Sequence, residues 1–332
     1  MKALTVPAYG QLVLSEVEAP TPGADDVVVQ VVSASLNAAD WHLIFADPFP
    51  VRLGLGLFRP KFKAAGADAS GKVVAVGAAV TEFKVGDEVM GDLSGVGFGA
   101  FAEQACAPAT AWVKKPASLS FDEAAAIPLA GMTALKGLRD VAGLKSGERV
   151  LVIGAAGGVG SFAVQIARAL GAHVTAACRK DKCESVASLG VTETLPSETL
   201  EAALRERTMD KRFDVIFDCA AFRSPFAYNR LLTPGGRFVV VGGSMLSLMR
   251  AGVGGPVARL FTGHHYRTFL QKANPSLLRE LIELVTRANI RPLLDKTFPL
   301  AEGMAALRHL TDRKARGKVV IRVSEPSPHH AS

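Results

Sequence analysis

Two textures of apolar residues divide the chain. Up to about residue 125 the apolar positions fall in short runs, such as Val27–Ser33, Gly71–Gly77 and Glu88–Met90. Turn-forming stretches at Pro20–Gly23, Val85–Asp87 and Gly95–Gly99 separate them. Short strands broken in this way predict an all-β, barrel-like unit. Trp41–Phe62 departs from the pattern and, with Pro48, Pro50 and Pro60, reads as a long irregular excursion. The aliphatic Val51–Phe58 within it suggests either contact with an apolar small molecule or a packed lid.

From about residue 122 the period changes. Asp122-Glu-Ala-Ala-Ala-Ile opens a helix on acidic residues, and Thr133–Val141 continues helically. Apolar strands at Val150–Gly154, His173–Ala177, Val215–Cys219 and Arg237–Val241 then alternate with helices. Those helices are read at Val159–Leu170, Lys182–Leu189, Leu200–Glu206 and Pro225–Leu232. Such alternation predicts a parallel, doubly wound sheet, so the fold class is α/β. Val319–Val323 is one more strand, which pattern alone does not place. Met1–Pro7 reads as strand rather than signal peptide. The polar stretch Glu325–Ser332 reads as a loose tail, and no apolar run reaches membrane-spanning length.

The most informative stretch is Val150-Leu-Val-Ile-Gly-Ala-Ala-Gly-Gly-Val-Gly160. It reads as a buried strand, a tight glycine turn and a helix opening at Ser161, followed by a second strand. A helix N-terminus with bare amides suits a phosphate pair, and glycine lets the backbone approach it. Ala156, Gly157, Gly158 and Val159 are therefore expected against a dinucleotide pyrophosphate. NAD-specific folds carry Asp or Glu about 20 residues further on, to bind the ribose 2′-hydroxyl. Here Arg179 stands at that distance, with Lys180 and Lys182 following. A guanidinium pairs with a 2′-phosphate that a carboxylate would repel, which favours NADPH. Asp181 and Glu184 lie in the same stretch and offset part of that charge.

At 332 residues, two domains are expected. The formal charge is +7, with bases scattered apart from Arg179–Lys182 and Arg308–Lys318. No zinc-finger spacing, RNA-binding motif or basic helix accompanies it, so no specific nucleic acid is expected. The four cysteines form no CxxC and read as reduced thiols of a cytoplasmic protein.

Several motifs in order resemble the medium-chain dehydrogenase/reductase superfamily, and within it the zinc-free quinone-oxidoreductase branch, which includes zeta-crystallin. They are Ala64–Gly71, Phe83–Val89, Gly99–Glu103, Ala124–Ala134, the glycine turn, Phe217-Asp-Cys219 and Gly317–Ile321. The resemblance implies a GroES-like β-barrel catalytic domain at 1–122 plus 295–332 and a Rossmann NADP-binding domain at 123–294. It also implies an active site in the cleft between them and a homodimer paired through sheet edges. Where zinc relatives place Cys, His and Cys ligands, this chain has Asn37, Ala67 and Leu129, so no metal is expected.

Without a metal, conjugate reduction is the easier hydride chemistry: NADPH to the β-carbon of an enone, or to a quinone. The oxygen that gains charge then needs hydrogen-bond donors. By the resemblance Asn37 lines the nicotinamide end, or else holds a loop, which Asp40 would buttress. His42 is a candidate proton donor, or a plain hydrogen-bonded histidine. The resemblance also implies Thr133 facing the nicotinamide, or else packing its helix, Asp218 near the adenosine ribose and Gly242 bordering the nicotinamide by its backbone. Lys318 reaches the pyrophosphate or the surface. Tyr266, in the unusual run Phe261–Phe269, is a possible donor on a substrate-cleft or dimer-edge segment; its adjacent histidines point apart and lack a third ligand. The leading expectation is an NADPH-dependent reductase of quinones or α,β-unsaturated carbonyls, acting on an apolar acceptor without membrane insertion. Alternatives are an enoyl-thioester reductase of lipid or polyketide metabolism, and a non-catalytic nucleotide-sensing or RNA-binding protein.

Overall fold

A computed structural model describes residues 1–46, 52–62, 64–206, 212–243 and 245–324. The expected tail at Glu325–Ser332 and residues 47–51 of the expected excursion lie outside the described residues. The chain forms two units: residues 1–129 with 272–282 and 294–332, and residues 130–271 with 283–293.

The first unit opens with seven strands: β1 (Lys2–Thr5), β2 (Val13–Glu16), β3 (Asp26–Leu36), β4 (Asp68–Val76), β5 (Glu88–Asp92), β6 (Gln104–Pro108) and β7 (Trp112–Lys114). Burial alternates along β6, while β3 is buried almost throughout. The excursion is partly corrected: Ala38–Phe45 is an α-helix. Asn37 precedes it in extended conformation, and the Asp40 carboxylate accepts from Asn37 N at 2.7 Å, half of a capping box. A local capping interaction thus overrides the Pro-rich reading. Leu53 and Phe58, in the stretch read as a lid or acceptor contact, are exposed.

The second unit carries β8 (Arg149–Ile153), β9 (His173–Cys178), β10 (Glu193–Pro196), β11 (Phe213–Asp218), β12 (Leu232–Val240) and β13 (His265–Thr268). All its pairings are parallel, in the order β10-β9-β8-β11-β12-β13. Counted from β8 this is 3-2-1-4-5-6, the doubly wound dinucleotide-binding order. β10 and β13 were not foreseen: Glu193–Pro196 is short and polar, and His265–Thr268 offers no apolar run.

The chain then adds β14 (Leu294–Pro299) and β15 (Lys318–Arg322) to the first unit, giving a sheet in the order β14-β15-β3-β4-β5-β7 with β6 also on β3. β15 runs antiparallel to β3, with Val319 opposite Leu36 and Arg322 opposite Ser33. The unplaced last strand therefore joins the first sheet between β14 and β3, and Lys318 lies beside the end of β3. Each unit has its own apolar core, one around Trp112, Phe101 and Val319 and one around Phe238, Tyr228 and Ile216.

Candidate active site

The nucleotide turn sits where the strand order reverses, at the carboxyl ends of β8 and β11, where open α/β sheets bind ligands. Gly154 leaves β8 at φ +78, and Gly157 N donates to Gly154 O at 3.0 Å to close the turn. The helix Gly158–Ala169 follows, with Gly157 at its N-cap and no side chain capping it. Its first amides therefore face out of the helix end, as an anion requires. A Cβ on Gly160 would stand 2.1 Å from Gly154 O, so only glycine lets this helix press against the turn. Ala156 is buried under the turn, whereas Gly157 is exposed and Gly158 and Val159 half-exposed. At the end of β11, Asp218 is buried: Oδ1 accepts from Ala220 N and Ala221 N, and Oδ2 has no partner. Gly242 follows β12 in left-handed backbone. These features fit a dinucleotide: bare helix amides, a turn a Cβ would obstruct, and an orphaned buried carboxylate oxygen.

Arg179 and Lys180 are exposed after β9, but Lys182 is buried. Arg179 is not idle: its guanidinium meets both oxygens of Asp181, at 3.0 and 2.7 Å. That pair raises the Arg179 pKa and lowers that of Asp181. Beside them, the Cys178 and Cys183 sulfurs are 3.5 Å apart, and burial pushes Cys178 up to about 12.

The first unit buries a polar cluster at one end of its sheet. Lys318, 2% exposed, donates from Nζ to Asn37 Oδ1 at 2.6 Å and to Leu36 O at 3.0 Å. Asn37 Nδ2 donates to Asp68 Oδ2 at 2.9 Å, and Leu129 N donates to the other Asp68 oxygen at 3.1 Å. Lys318 Nζ lies 3.7 Å from Asp68 Oδ2. An ammonium has no acceptor, so the Asn37 amide is held in one orientation with its second Nδ2–H available. Asp40 and Asp92 complete the group, each with one buried oxygen lacking a partner. Burial dominates these titrations: it pushes Asp40 and Asp68 up to about 7, raises Asp92 and lowers Lys318, outweighing the attraction between carboxylates and ammonium.

Two placements correct the sequence reading. Lys318 does not lie at the surface; β15 draws it inside, where its ammonium is bonded to Leu36 and Asn37. Tyr266 is not a free donor in a cleft: it is 6% exposed, packs edge-on to Phe226, and donates its hydroxyl to Asn229 Oδ1. His42 is half-buried on the helix that Asn37 starts, and Thr133 half-buried on Pro128–Leu135. The structure thus brings Asn37 and Lys318 together with Asp68 and Asp92, a set sequence reading did not assemble. Asp68 and Asp92 stand opposite each other at one end of the β4/β5 pairing, a pairing that the sequence pattern did not supply.

The family described as "Alcohol dehydrogenase GroES-like domain" matches residues 23–117, and "Zinc-binding dehydrogenase" matches residues 189–321. The chain is 32% identical to the chloroplast envelope quinone oxidoreductase homolog of Arabidopsis thaliana, over 97% of this chain and 98% of that protein. It is 37% identical to the polyketide synthase GfsB of Streptomyces halstedii over 82% of this chain and 5% of that much longer protein. Among solved structures, the quinone oxidoreductase from Coxiella burnetii aligns at TM-score 0.84 and 27% identity, over 98% and 99% of the two chains. The zinc in one family description does not fit these residues. Asn37 is bound by Lys318 and Asp68, Ala67 and Leu129 offer no donor side chain, and among the described residues no group of three or more His, Cys, Asp or Glu could hold a metal. By whole-length identity and fold, the chain belongs to the medium-chain dehydrogenase/reductase superfamily, among its quinone-oxidoreductase-like oxidoreductases.

Proposed function

We propose that the protein is an NADPH-dependent, zinc-independent reductase of quinones or α,β-unsaturated carbonyl compounds. The observation that carries this reading is the Asn37 amide, clamped between Lys318 and Asp68 with one Nδ2–H left to give. When bound, NADPH supplies the hydride. The chain's own work is then to bind phosphate, orient the acceptor and stabilise the oxygen that gains charge. Gly157, Gly158 and Val159 offer backbone amides to the pyrophosphate, with Ala156 packing beneath. Asp218 accepts from the adenosine ribose. Arg179 and Lys180 face the 2′-phosphate, with Lys182 supporting the loop from inside. Thr133 and the Gly242 backbone border the nicotinamide. Asn37 donates to the enolate or hydroquinone oxygen; His42, on the helix Asn37 starts, supplies the proton. A preorganised donor in a dry site needs no reorganisation at the moment of reaction.

A second reading, enoyl-thioester reduction, is favoured by the similarity to a polyketide synthase segment. One assay separates them: purified, chelator-treated protein with NADPH or NADH against quinones, enones and crotonyl-CoA. Chelator-resistant turnover of quinones or enones with NADPH is expected. Preferential turnover of crotonyl-CoA would select the second reading, and activity lost to chelator and restored by zinc would sink the metal-free mechanism. Asn37→Ala should lower kcat about 10²- to 10³-fold, as loss of one oxyanion donor does elsewhere, with little change in the NADPH Kd.

A further inference from the structure

Two cysteines meet at the end of β9, and neither the glycine turn nor the Asn37 cluster uses them. Cys178 is the last residue of β9, and Cys183 opens the short helix Cys183–Ala187. Between them Arg179–Lys182 makes one tight turn, which Lys182 N closes by donating to Arg179 O at 2.9 Å. That turn brings the sulfurs to 3.5 Å, with Cys178 Sγ donating to Cys183 Sγ. A disulfide needs a separation of about 2.05 Å, so about 1.5 Å remains to be closed. Side-chain rotation and a small give in the turn can cover that distance.

The two thiols differ in a way that sets the order of events. Cys178 is 2% exposed and fixed in β9 opposite Pro196 of β10. Burial, with Cys183 as neighbour, pushes it up to about 12, so it stays a thiol and is inert to a dissolved oxidant. Cys183 is half-exposed, so an oxidant reaches it first. Its Sγ also steadies the turn, donating to Arg179 O at 3.5 Å. Cys106 lies on β6 of the other unit, and Cys219 follows β11, two strands from β9 in the sheet order. Neither competes for this partner.

We propose that Cys178 and Cys183 are a redox-active pair, closed to a disulfide by hydrogen peroxide, and that the closed form holds NADPH less tightly. In the first step Cys183 Sγ attacks one peroxide oxygen. The O–O bond breaks, the leaving hydroxide takes the thiol proton as water, and Cys183 becomes a sulfenic acid. Cys178 Sγ then attacks Cys183 Sγ. The S–O bond breaks, and the departing hydroxide takes the Cys178 proton as a second water. Two thiols lose two electrons and one peroxide gains them. A dithiol reductant reverses the change by exchange.

Closure removes a contact from the turn. Cys183 then has no proton to give Arg179 O, and because β9 is fixed in its sheet the turn must move towards Cys178. Arg179 carries the guanidinium that, on the NADPH reading proposed above, meets the 2′-phosphate. The weaker binding rests on that reading; the disulfide does not. Linkage is reciprocal, so saturating NADPH should favour the open dithiol.

The test uses the full chain, reduced, freed of reductant, treated with hydrogen peroxide and quenched with catalase. Titratable thiols of the denatured protein should fall from four to two. Trypsin cuts after Arg179, Lys180 and Lys182, so Cys178 and Cys183 fall on separate peptides. Mass spectrometry should find those peptides joined, and dithiothreitol should part them. Fluorescence titration should show the NADPH Kd raised about fivefold in the closed form, the size of one screened charge contact, and restored by dithiothreitol. Cys183→Ser, at a half-exposed position, should make binding indifferent to peroxide, and Cys178→Ala should do the same from inside. Four thiols surviving peroxide, a different joined pair, or Cys183 carried on to sulfinic acid without joining overturns the proposal. So does a mapped Cys178–Cys183 disulfide with an unchanged NADPH Kd. Reduced protein that binds no NADPH overturns the cofactor reading instead, and the peptide map still decides whether the pair closes.

Discussion

The nucleotide turn and the Asn37 cluster solve the same task, holding a polar partner at a fixed place, by opposite means. The turn uses backbone: Gly154, Gly157 and Gly160 bring amides to a helix end and bury no charge. The cluster uses side chains: three carboxyls and one ammonium enclosed at the end of a β-sheet. A backbone site is contiguous in sequence and tolerant of its surroundings. A buried charged site is drawn from residues 37, 40, 68, 92 and 318 and depends on every member. Substitution should therefore hurt the cluster through stability and the turn through binding.

The sharpest break comes from Lys318→Met. It removes the only ammonium named in the cluster and leaves Asn37 Oδ1 without its donor. Loss of one partner from a buried ion pair costs about 3–5 kcal/mol. Urea unfolding of the purified variant should show a loss of that order, softened by protonation of Asp68. An unchanged midpoint would mean that the cluster does not depend on its cation. The nucleotide turn has no counterpart with an effect this large.

Next is pH. Asp40 and Asp68 ionise near 3.8 in the unfolded chain and at about 7 when folded. Between those values the folded protein holds more protons than the unfolded chain, so stability falls as pH rises through the window. The slope is at most about 1.4 kcal/mol per pH unit for each carboxyl. Lys318, lowered from 10.5 by burial, acts oppositely, over a window that ends at 10.5. Melting temperatures from pH 4 to 7 should decline in the parent, and Asp40→Asn should flatten the decline. A flat parent profile would show that both carboxyls stay charged inside.

Gly160→Ala tests the turn. The added Cβ meets Gly154 O at 2.1 Å, backbone against backbone, so the helix must retreat. Overpacking of this kind costs about 1–3 kcal/mol. The larger consequence should be weaker NADPH binding, read by fluorescence titration, because the helix amides move with the helix.

The contrast also explains what the chain disclosed. The α/β class, strands β8, β9, β11 and β12 and the glycine turn were legible because strand, turn and helix lie within about 30 residues of sequence. The resemblance marked Asn37, but nothing local joined it to Lys318, 281 residues away. Only the return of β15 alongside β3 makes them neighbours, and no apolar period announces a pairing of that range. Tyr266 failed as a donor for a related reason. The run Phe261–Phe269 looks unusual because a short edge strand and the end of an apolar-faced helix meet there. The tyrosine points inward to Phe226 and Phe238, and its hydroxyl to Asn229. Periodicity over four residues cannot reveal which way a single edge-strand side chain faces.

The smallest effect concerns cofactor choice, and it tests the turn where it does use a side chain. On the proposed NADPH reading Arg179 would meet the 2′-phosphate, yet Asp181 already holds its guanidinium at Nε and Nη2. The pair is about half exposed, so water screens it and its hold is weak. A phosphate carries more charge than a carboxylate and should displace Asp181 with little penalty. Arg179→Ala should then raise the KM for NADPH about fivefold and leave that for NADH unchanged. Asp181→Asn should do the reverse, lowering the KM for NADPH by a smaller factor because a competitor is gone. If both variants shift the two cofactors equally, the loop is merely a charged surface. Any preference for NADPH would then have to be sought in Lys180 or Lys182. If only Asp181→Asn acts, the ion pair gates a site whose phosphate contact lies elsewhere.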